Sequence, residues 1–300
     1  MYRYALPAHA ADVPVLVDLV DVDSQKWFDY AARAGLAARW LYQTEGHRVR
    51  QIEKELCDRC DAVTVVSEAE AKLLREFCRR DNVHSIPNGV DSDFFRPQFD
   101  DLKTEDNKAA ATAGYECVFV GALDYEPNVD GATWFCREVW PQVRARFPQA
   151  RFLLVGRNPA PQVRRLGTLP GVELIGEVPD VRPFLYRASL AVMPLRIARG
   201  IQNKVLEALA AGKPVIASPQ ALEGLDLVPG EHVHRASTAA EWLAGISDLF
   251  ENEMECRRLG RAGRAFACER HQWESCLRPL AALLGMSEPV TTRRLTAALG

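Results

Sequence analysis

Arg196, Arg199, Lys204 and Glu207 are of the types that hold a phosphorylated ligand, and they fall close together in MPLRIARGIQNKVLEALAAGKPVIAS, Met193–Ser218. The stretch reads as a strand at Leu190–Leu195, a turn, a helix and a second strand at Pro214–Ala217. The helix is expected to open after Gly200, to carry Val205, Leu206, Leu209 and Ala210 on its apolar side, and to stop at Gly212 with Pro214 beyond it. Strand, helix and strand at this spacing make a parallel β–α–β unit. The first backbone N–H groups of such a helix have no partner within it, and the helix dipole favours an anion there. With Arg196, Arg199 and Lys204 around the same end, a phosphate or diphosphate is the natural guest. Lys204 and Glu207 are three apart, hence neighbours on one face about 4.5 Å apart along the axis. The ammonium can hold a phosphate while the carboxylate, one turn deeper, accepts two hydrogen bonds from a ribose diol. A solvated Lys–Glu pair on an ordinary helix is the bland use of the same spacing.

Gly200, Lys204, Glu207, Ala208, Ala211, Gly212, Pro214 and Val215 resemble the donor-site signature of GT-B glycosyltransferases of family 4. The resemblance implies that Glu207 binds the ribose of a nucleotide-sugar, a UDP- or GDP-sugar. The family usually carries a second Glu eight positions earlier, touching the donor sugar, where this chain has Arg199. Pro87-Asn88-Gly89-Val90-Asp91, continuing into DSDFFRP, resembles the string at which that family crosses between its two domains. Implied with it are a retaining transfer without metal or cofactor, and a leaving diphosphate met by Arg199, Lys204 and the helix tip.

The totals set bounds. Basic and acidic residues number 37 and 40, for a net charge of −3, which is not the footprint of a nucleic-acid binder. Hydrophobic residues at 48% and charged residues at 26% match a soluble globular protein. No apolar run has the length of a membrane span, and no signal peptide opens the sequence. The 8 cysteines follow no framework, so reduced thiols and a cytoplasmic location are expected.

In chain order, a strand at Val13–Val20 leads into Asp21-Val22-Asp23. Asp-x-Asp is also a manganese motif of a different glycosyltransferase fold, but so short a pattern reads first as a turn at a strand end. VDVDSQKW resembles a segment of exosortase-associated bacterial exopolysaccharide sugar transferases, which makes Asp21, Asp23 and Ser24 acceptor-side candidates. Lys26–Cys60 is a long helical pattern, broken near Gly35 and Gly46. Its aromatic and basic residues suit either a helix covering a sheet or a peripheral rest on a membrane. Cys57-x-x-Cys60 has no second pair and reads as ordinary cysteines. Ser67 is an N-cap, with Glu70 completing a capping box. A loose connection is expected at Gln98–Gly114.

A fresh series follows: strands at Glu116–Gly121, Arg151–Val155 and Val172–Ile175, with a helix at Asn128–Phe147. The alternation means a mostly parallel sheet with helices on both faces, and ligands bind at the carboxyl ends of its strands. Gly121, Gly156 and the stretch from Arg196 to Gly200 all fall there, with Arg157 and Asn203 as further donor-side candidates. GALDYEPNVDG lacks the Arg and Lys that the family often carries after the first strand, so Arg199 and Lys204 are read as substitutes. His232 and His234 share a face of an expected strand, without a third ligand. Thr238–Arg264 reads as helices, His271–Leu284 as an amphipathic helix and Met286–Gly300 as a tail.

The fold class is therefore α/β: GT-B, with two Rossmann-like domains and a parallel sheet in the C-terminal one. Residues 1–90 are read as an incomplete N-terminal, acceptor-side domain lacking about 100 residues. Residues 91–270 form the nucleotide-sugar domain, and 271–300 a crossover helix and tail. The reading is a hexosyltransferase using a nucleotide-sugar and an exopolysaccharide or lipid-linked acceptor. An inactive, truncated nucleotide- or sugar-binding protein is its rival. A nucleotide-sugar epimerase shares the architecture but needs carboxylates and a His that the sequence does not place.

Overall fold

The computed structural model describes residues 13–97 and 114–286. Most of the connection expected at Gln98–Gly114, and all of the expected tail beyond Met286, lie outside them. The chain divides into two compact units. One holds residues up to Asn88, the tripeptide Arg199–Ile201 and the chain from Glu274; the other holds Gly89–Ala198 and Gln202–Trp273.

The first unit has a parallel three-stranded sheet of β1 (Leu16–Val20), β2 (Ala62–Val65) and β3 (Val83–Ser85), in that order. Helices α1 (Asp23–Arg33) and α2 (Leu36–Arg59) connect β1 to β2, and α3 (Glu68–Cys78) connects β2 to β3. Val22, Cys57, Val63, Val65, Ala71, Leu74 and Val83 form its buried core. The helical run breaks at Gly35 as expected but not at Gly46, which is buried inside α2. A Cβ on Gly46 would lie 2.8 Å from the Phe28 ring, so glycine serves the packing of α2 on α1 rather than a turn. Ser67 caps α3, accepting from the Glu70 N–H at 3.2 Å. The Glu70 carboxylate accepts instead from the Val22 N–H at 2.7 Å, tying α3 to the loop after β1.

The second unit has a parallel six-stranded sheet in the order β6-β5-β4-β7-β8-β9. These are β4 (Glu116–Val120), β5 (Arg151–Val155), β6 (Val172–Gly176), β7 (Leu190–Met193), β8 (Val215–Ala217) and β9 (His234–Arg235). The strands are apolar through both faces, as burial under helices on each side requires. Helix α4 (Glu126–Trp134) follows β4, and one π turn (Phe135–Val139) joins it to α5 (Trp140–Arg146). Pro141 explains the π turn: it has no N–H to bond one turn back, so the ladder shifts register. Helices α6 (Pro161–Leu166), α7 (Arg182–Arg187) and α8 (Asn203–Ala210) follow β5, β6 and β7. Helices α9 (Ala239–Glu251) and α10 (Glu253–Arg270) follow β9. Thr238 and Glu241 form a capping box that starts α9. The PNGVD turn is anchored by the Val90 N–H, which donates to the His271 carbonyl at 2.7 Å.

Two expectations are corrected. His271–Leu284 is not one helix but two short ones, α11 (Trp273–Cys276) and α12 (Arg278–Leu283). Pro279 cannot donate to Ser275, and its ring crowds that carbonyl. His232 lies outside β9 and accepts from the Val228 N–H at 3.1 Å, so it does not share a strand face with His234. No helix among the described residues is long and apolar enough to cross a membrane.

Candidate functional site

The chain lays β4, β5 and β6 toward one side and then returns to place β7, β8 and β9 on the other side of β4. The connections after β4 and β7 therefore diverge, and this reversal of strand order is the position at which open parallel sheets generally bind ligands. Gly121 and Pro194 leave the strands on its two sides. Tight backbone approaches build this rim. A Cβ on Gly156 would lie 1.7 Å from the Gly121 carbonyl oxygen. One on Gly131 of α4 would lie 2.6 Å from the Pro194 carbonyl oxygen.

Helix α8 points its amino end into this region, and no side chain caps it. Lys204 and Glu207 project from its first two turns. The Lys204 ammonium donates to Asn128 Oδ1 and stands 5.3 Å from the centre of the Phe119 ring. Asn128 is itself buried and donates through Nδ2 to the Ala122 carbonyl at 2.7 Å. Burial pushes Lys204 down to about 8, against which the Glu207 carboxylate pulls it up. Glu207 is raised by burial and lowered by Lys204. An anion brought to Lys204 would favour its charged form and raise the pKa again, so the site holds a cation short of negative charge. Arg196 is half-exposed and pairs with Asp130 at 3.3 Å.

The remaining predicted residues divide between the units. Gly121, Gly156, Arg157, Arg196, Asn203, Lys204 and Glu207 belong to the second unit, and Gly156 and exposed Arg157 directly follow β5. Arg199 and Gly200 count with the first. The Arg199 guanidinium donates from Nε to Asp29 at 2.7 Å and lies 4.0 Å from Glu70, so two carboxylates already answer its charge. Gly200 takes φ +61°, and a Cβ there would meet Asp21 Oδ1 at 1.8 Å. Asp21 is half-buried, and its pKa is raised by burial and then by Asp23. Asp23 is exposed at the start of α1. Ser24 is fully buried; its N–H donates to Glu53 at 2.9 Å and its hydroxyl accepts from Arg50 at 3.3 Å. That network ties Ser24 to α2. Among the described residues no group of three His, Cys, Asp or Glu is placed to hold a metal ion.

Two family models match the sequence: "Glycosyl transferases group 1" over residues 114–252 and "Glycosyltransferase Family 4" over residues 30–94. Over those residues the chain matches the group 1 and family 4 glycosyltransferases. It is similar to the phosphatidyl-myo-inositol mannosyltransferase of Mycobacterium tuberculosis, at 30% identity over 63% of this chain and 50% of the relative. The chain thus spans about half the length of that curated relative. It is also 26% identical to the GDP-mannose-dependent alpha-(1-6)-phosphatidylinositol monomannoside mannosyltransferase of Mycolicibacterium smegmatis, over 93% of this chain and 80% of the relative. In fold it is similar to Anabaena HepE, solved in complex with UDP and glucose, with a TM-score of 0.73. There the identity is 16%, covering 94% of this chain and 74% of that one.

Beyond the residues that the sequence pointed to, Asn128, Asp130 and Phe119 lie against Lys204 and Arg196. Asn128 and Asp130 lie in GALDYEPNVDG, a stretch without basic residues. The available signal was a polar residue in the first turn of the helix that leaves the sheet's first strand.

Proposed function

We propose that this chain binds a nucleotide-sugar in its second unit and transfers a hexose from it to a lipid-linked or polysaccharide acceptor with retention. The observation that carries the reading is the Lys204–Glu207 pair on the uncapped first turns of α8, at the point where the strand order reverses. Lys204 and the α8 N–H groups face the charge that grows on the departing diphosphate, which needs no proton transfer. Glu207 fixes the ribose and so sets position. Gly121 and Gly156 keep the rim low enough for the ligand's backbone, and Arg157, Arg196 and Asn203 flank it. The mannosyltransferase relatives favour a GDP-sugar, and the UDP-bound structural neighbour keeps UDP in play.

The role of Arg199 is narrower than the sequence suggested. Held by Asp29, it serves first to fix the loop ahead of α8. Asp21 and Asp23 remain the acceptor-side candidates; Ser24 supports them from within. Leu36, Trp40 and Leu41 at the start of α2 are 88%, 71% and 51% exposed, with Arg39 exposed among them. That combination supports a peripheral membrane contact, where a lipid-linked acceptor would be met.

Isothermal titration of the full chain with GDP, UDP and ADP tests the donor reading. Glu207→Gln is expected to weaken the preferred diphosphate about tenfold to a hundredfold by loss of charged hydrogen bonds. It should weaken the matching 2′,3′-dideoxy nucleotide little. Equal losses for both would remove Glu207 from the ribose. Release of GDP or UDP from the sugar nucleotide, measured with and without a phosphatidylinositol acceptor, separates turnover from binding alone.

A further inference from the structure

At the opposite end of the second unit's strands, by the amino end of β8, is a cavity of about 590 Å³. It lies between the segment Gly212–Pro214 and one face of α10. That face has a regular pattern: Arg257, Arg261 and Arg264 stand four and three apart, with Ala265 and Cys268 continuing the stripe. The contact beside it is close, since a Cβ on Gly260 would lie 2.3 Å from the Gly212 carbonyl oxygen. An adjoining groove of about 460 Å³ shares Arg257 and Arg261 and adds Met254, which is 83% exposed. No carboxylate is among the residues that line either space.

The cations around it are differently engaged. Lys213 donates to the Tyr186 and Ala188 carbonyls at 2.6 and 2.9 Å, and burial holds it down to about 8. Arg264 donates to the Ala210 carbonyl at the end of α8. Arg257 pairs with Glu253 outside the cavity. Arg261 is exposed and has neither an ion pair nor a hydrogen bond among the described residues. The walls are apolar, of the size that takes a drug-sized molecule (about 300–1,000 Å³). A guanidinium matches a phosphate with two parallel hydrogen bonds. Walls and rim together ask for one kind of molecule, apolar along its length and anionic at its end.

We infer that the α10 cavity is a binding site for a single-chain amphiphile with a phosphate head, its chain over Pro214, Gly260 and Ala265 and its head between Arg257 and Arg261. The site is separate from the donor rim, being at the other ends of the strands, and it belongs to none of the residues assigned to sugar transfer. Its occupant would add negative charge and apolar filling at the carboxyl end of α8, the helix whose amino end carries Lys204.

The test is titration of the full chain with dodecyl phosphate below its micelle-forming concentration, alongside inorganic phosphate and neutral dodecyl maltoside. Dodecyl phosphate is expected to bind, and both Arg261→Glu and Ala265→Trp to weaken it about tenfold or more. Bound dodecyl phosphate should also slow alkylation of Cys268 by N-ethylmaleimide, followed by peptide mass mapping. Affinity unchanged in both variants overturns the proposal, as does inorganic phosphate or dodecyl maltoside binding as tightly as dodecyl phosphate. Arg261→Glu should leave GDP and UDP binding intact, and Lys204→Ala should leave dodecyl phosphate binding intact. Failure of one site is thereby distinguished from failure of the other.

Discussion

Lys204 is held in tension: its ammonium is half-buried, answered by one amide oxygen and one carboxylate, and pushed down to about 8. A lysine with a lowered pKa gains its proton when an anion arrives. Nucleotide diphosphate affinity should then be level below pH 8 and fall about tenfold per pH unit above it, as the free protein loses the ammonium. Lys204→Arg keeps its charge throughout and should flatten that fall between pH 7 and 9, measured by titration calorimetry. A fall of the same steepness in the arginine variant would place the titrating group elsewhere. Lys204→Ala should weaken the diphosphate about tenfold to a hundredfold and the bare nucleoside far less. Equal loss of both would count against a phosphate role. The spacing of Lys204 and Glu207 was legible in the sequence because a helix face can be counted. Asn128, which orients Lys204, was not, since nothing in one chain segment says which distant polar residue a long side chain will reach. Arg199 shows the converse: its type suggested phosphate, but Asp29, distant in sequence, claims it.

Elements were legible where the apolar period is strong and blurred where a glycine or proline had to be interpreted. Gly46 looked like a break and is a packing contact with Phe28, whereas the helix expected at His271–Leu284 is divided ahead of Pro279. Two strands came out shorter than expected, because β4 ends before Gly121 and β7 before Pro194, where the chain turns to build the rim. Gly131 is the most consequential of these small residues. It sits inside α4, where alanine is normally the better helix former by about 1 kcal/mol. Here a Cβ would press on the Pro194 backbone, which cannot swing aside as a side chain can. Gly131→Ala should therefore cost about 1–3 kcal/mol of stability and, by pushing α4 from the β7 end, displace Asn128 from Lys204. The expected result is a lower unfolding midpoint together with weaker GDP or UDP binding, although residue 131 touches no ligand. A stabilised protein with unchanged affinity would show that α4 does not brace the site.

At the scale of the whole molecule, the alternation of strands and helices was legible, but the order of strands was not. The position of β4 between β5 and β7 depends on pairings such as Cys117 with Leu190, which no local pattern encodes. Nor did the sequence show that Arg199–Ile201 would group with the first unit while the chain on either side stays in the second. Each unit carries its own buried core, with Trp140 and Trp242 fully buried in the second. Trp27 and Trp40 belong to the first, so replacing both by Phe leaves tryptophan emission as a report on the second unit alone. A ligand that binds only the folded form stabilises it by about 2.7 kcal/mol at a hundredfold excess over its dissociation constant. If the donor site is built as proposed, GDP or UDP at that excess should raise the unfolding transition read from the second unit's Trp134, Trp140, Trp242 and Trp273 by that amount. Glu207→Gln should shrink the rise at the same nucleotide concentration. A nucleotide that leaves this emission transition in place, while binding by calorimetry, must be held by residues outside the second unit, and Lys204 and Glu207 would lose their assigned role.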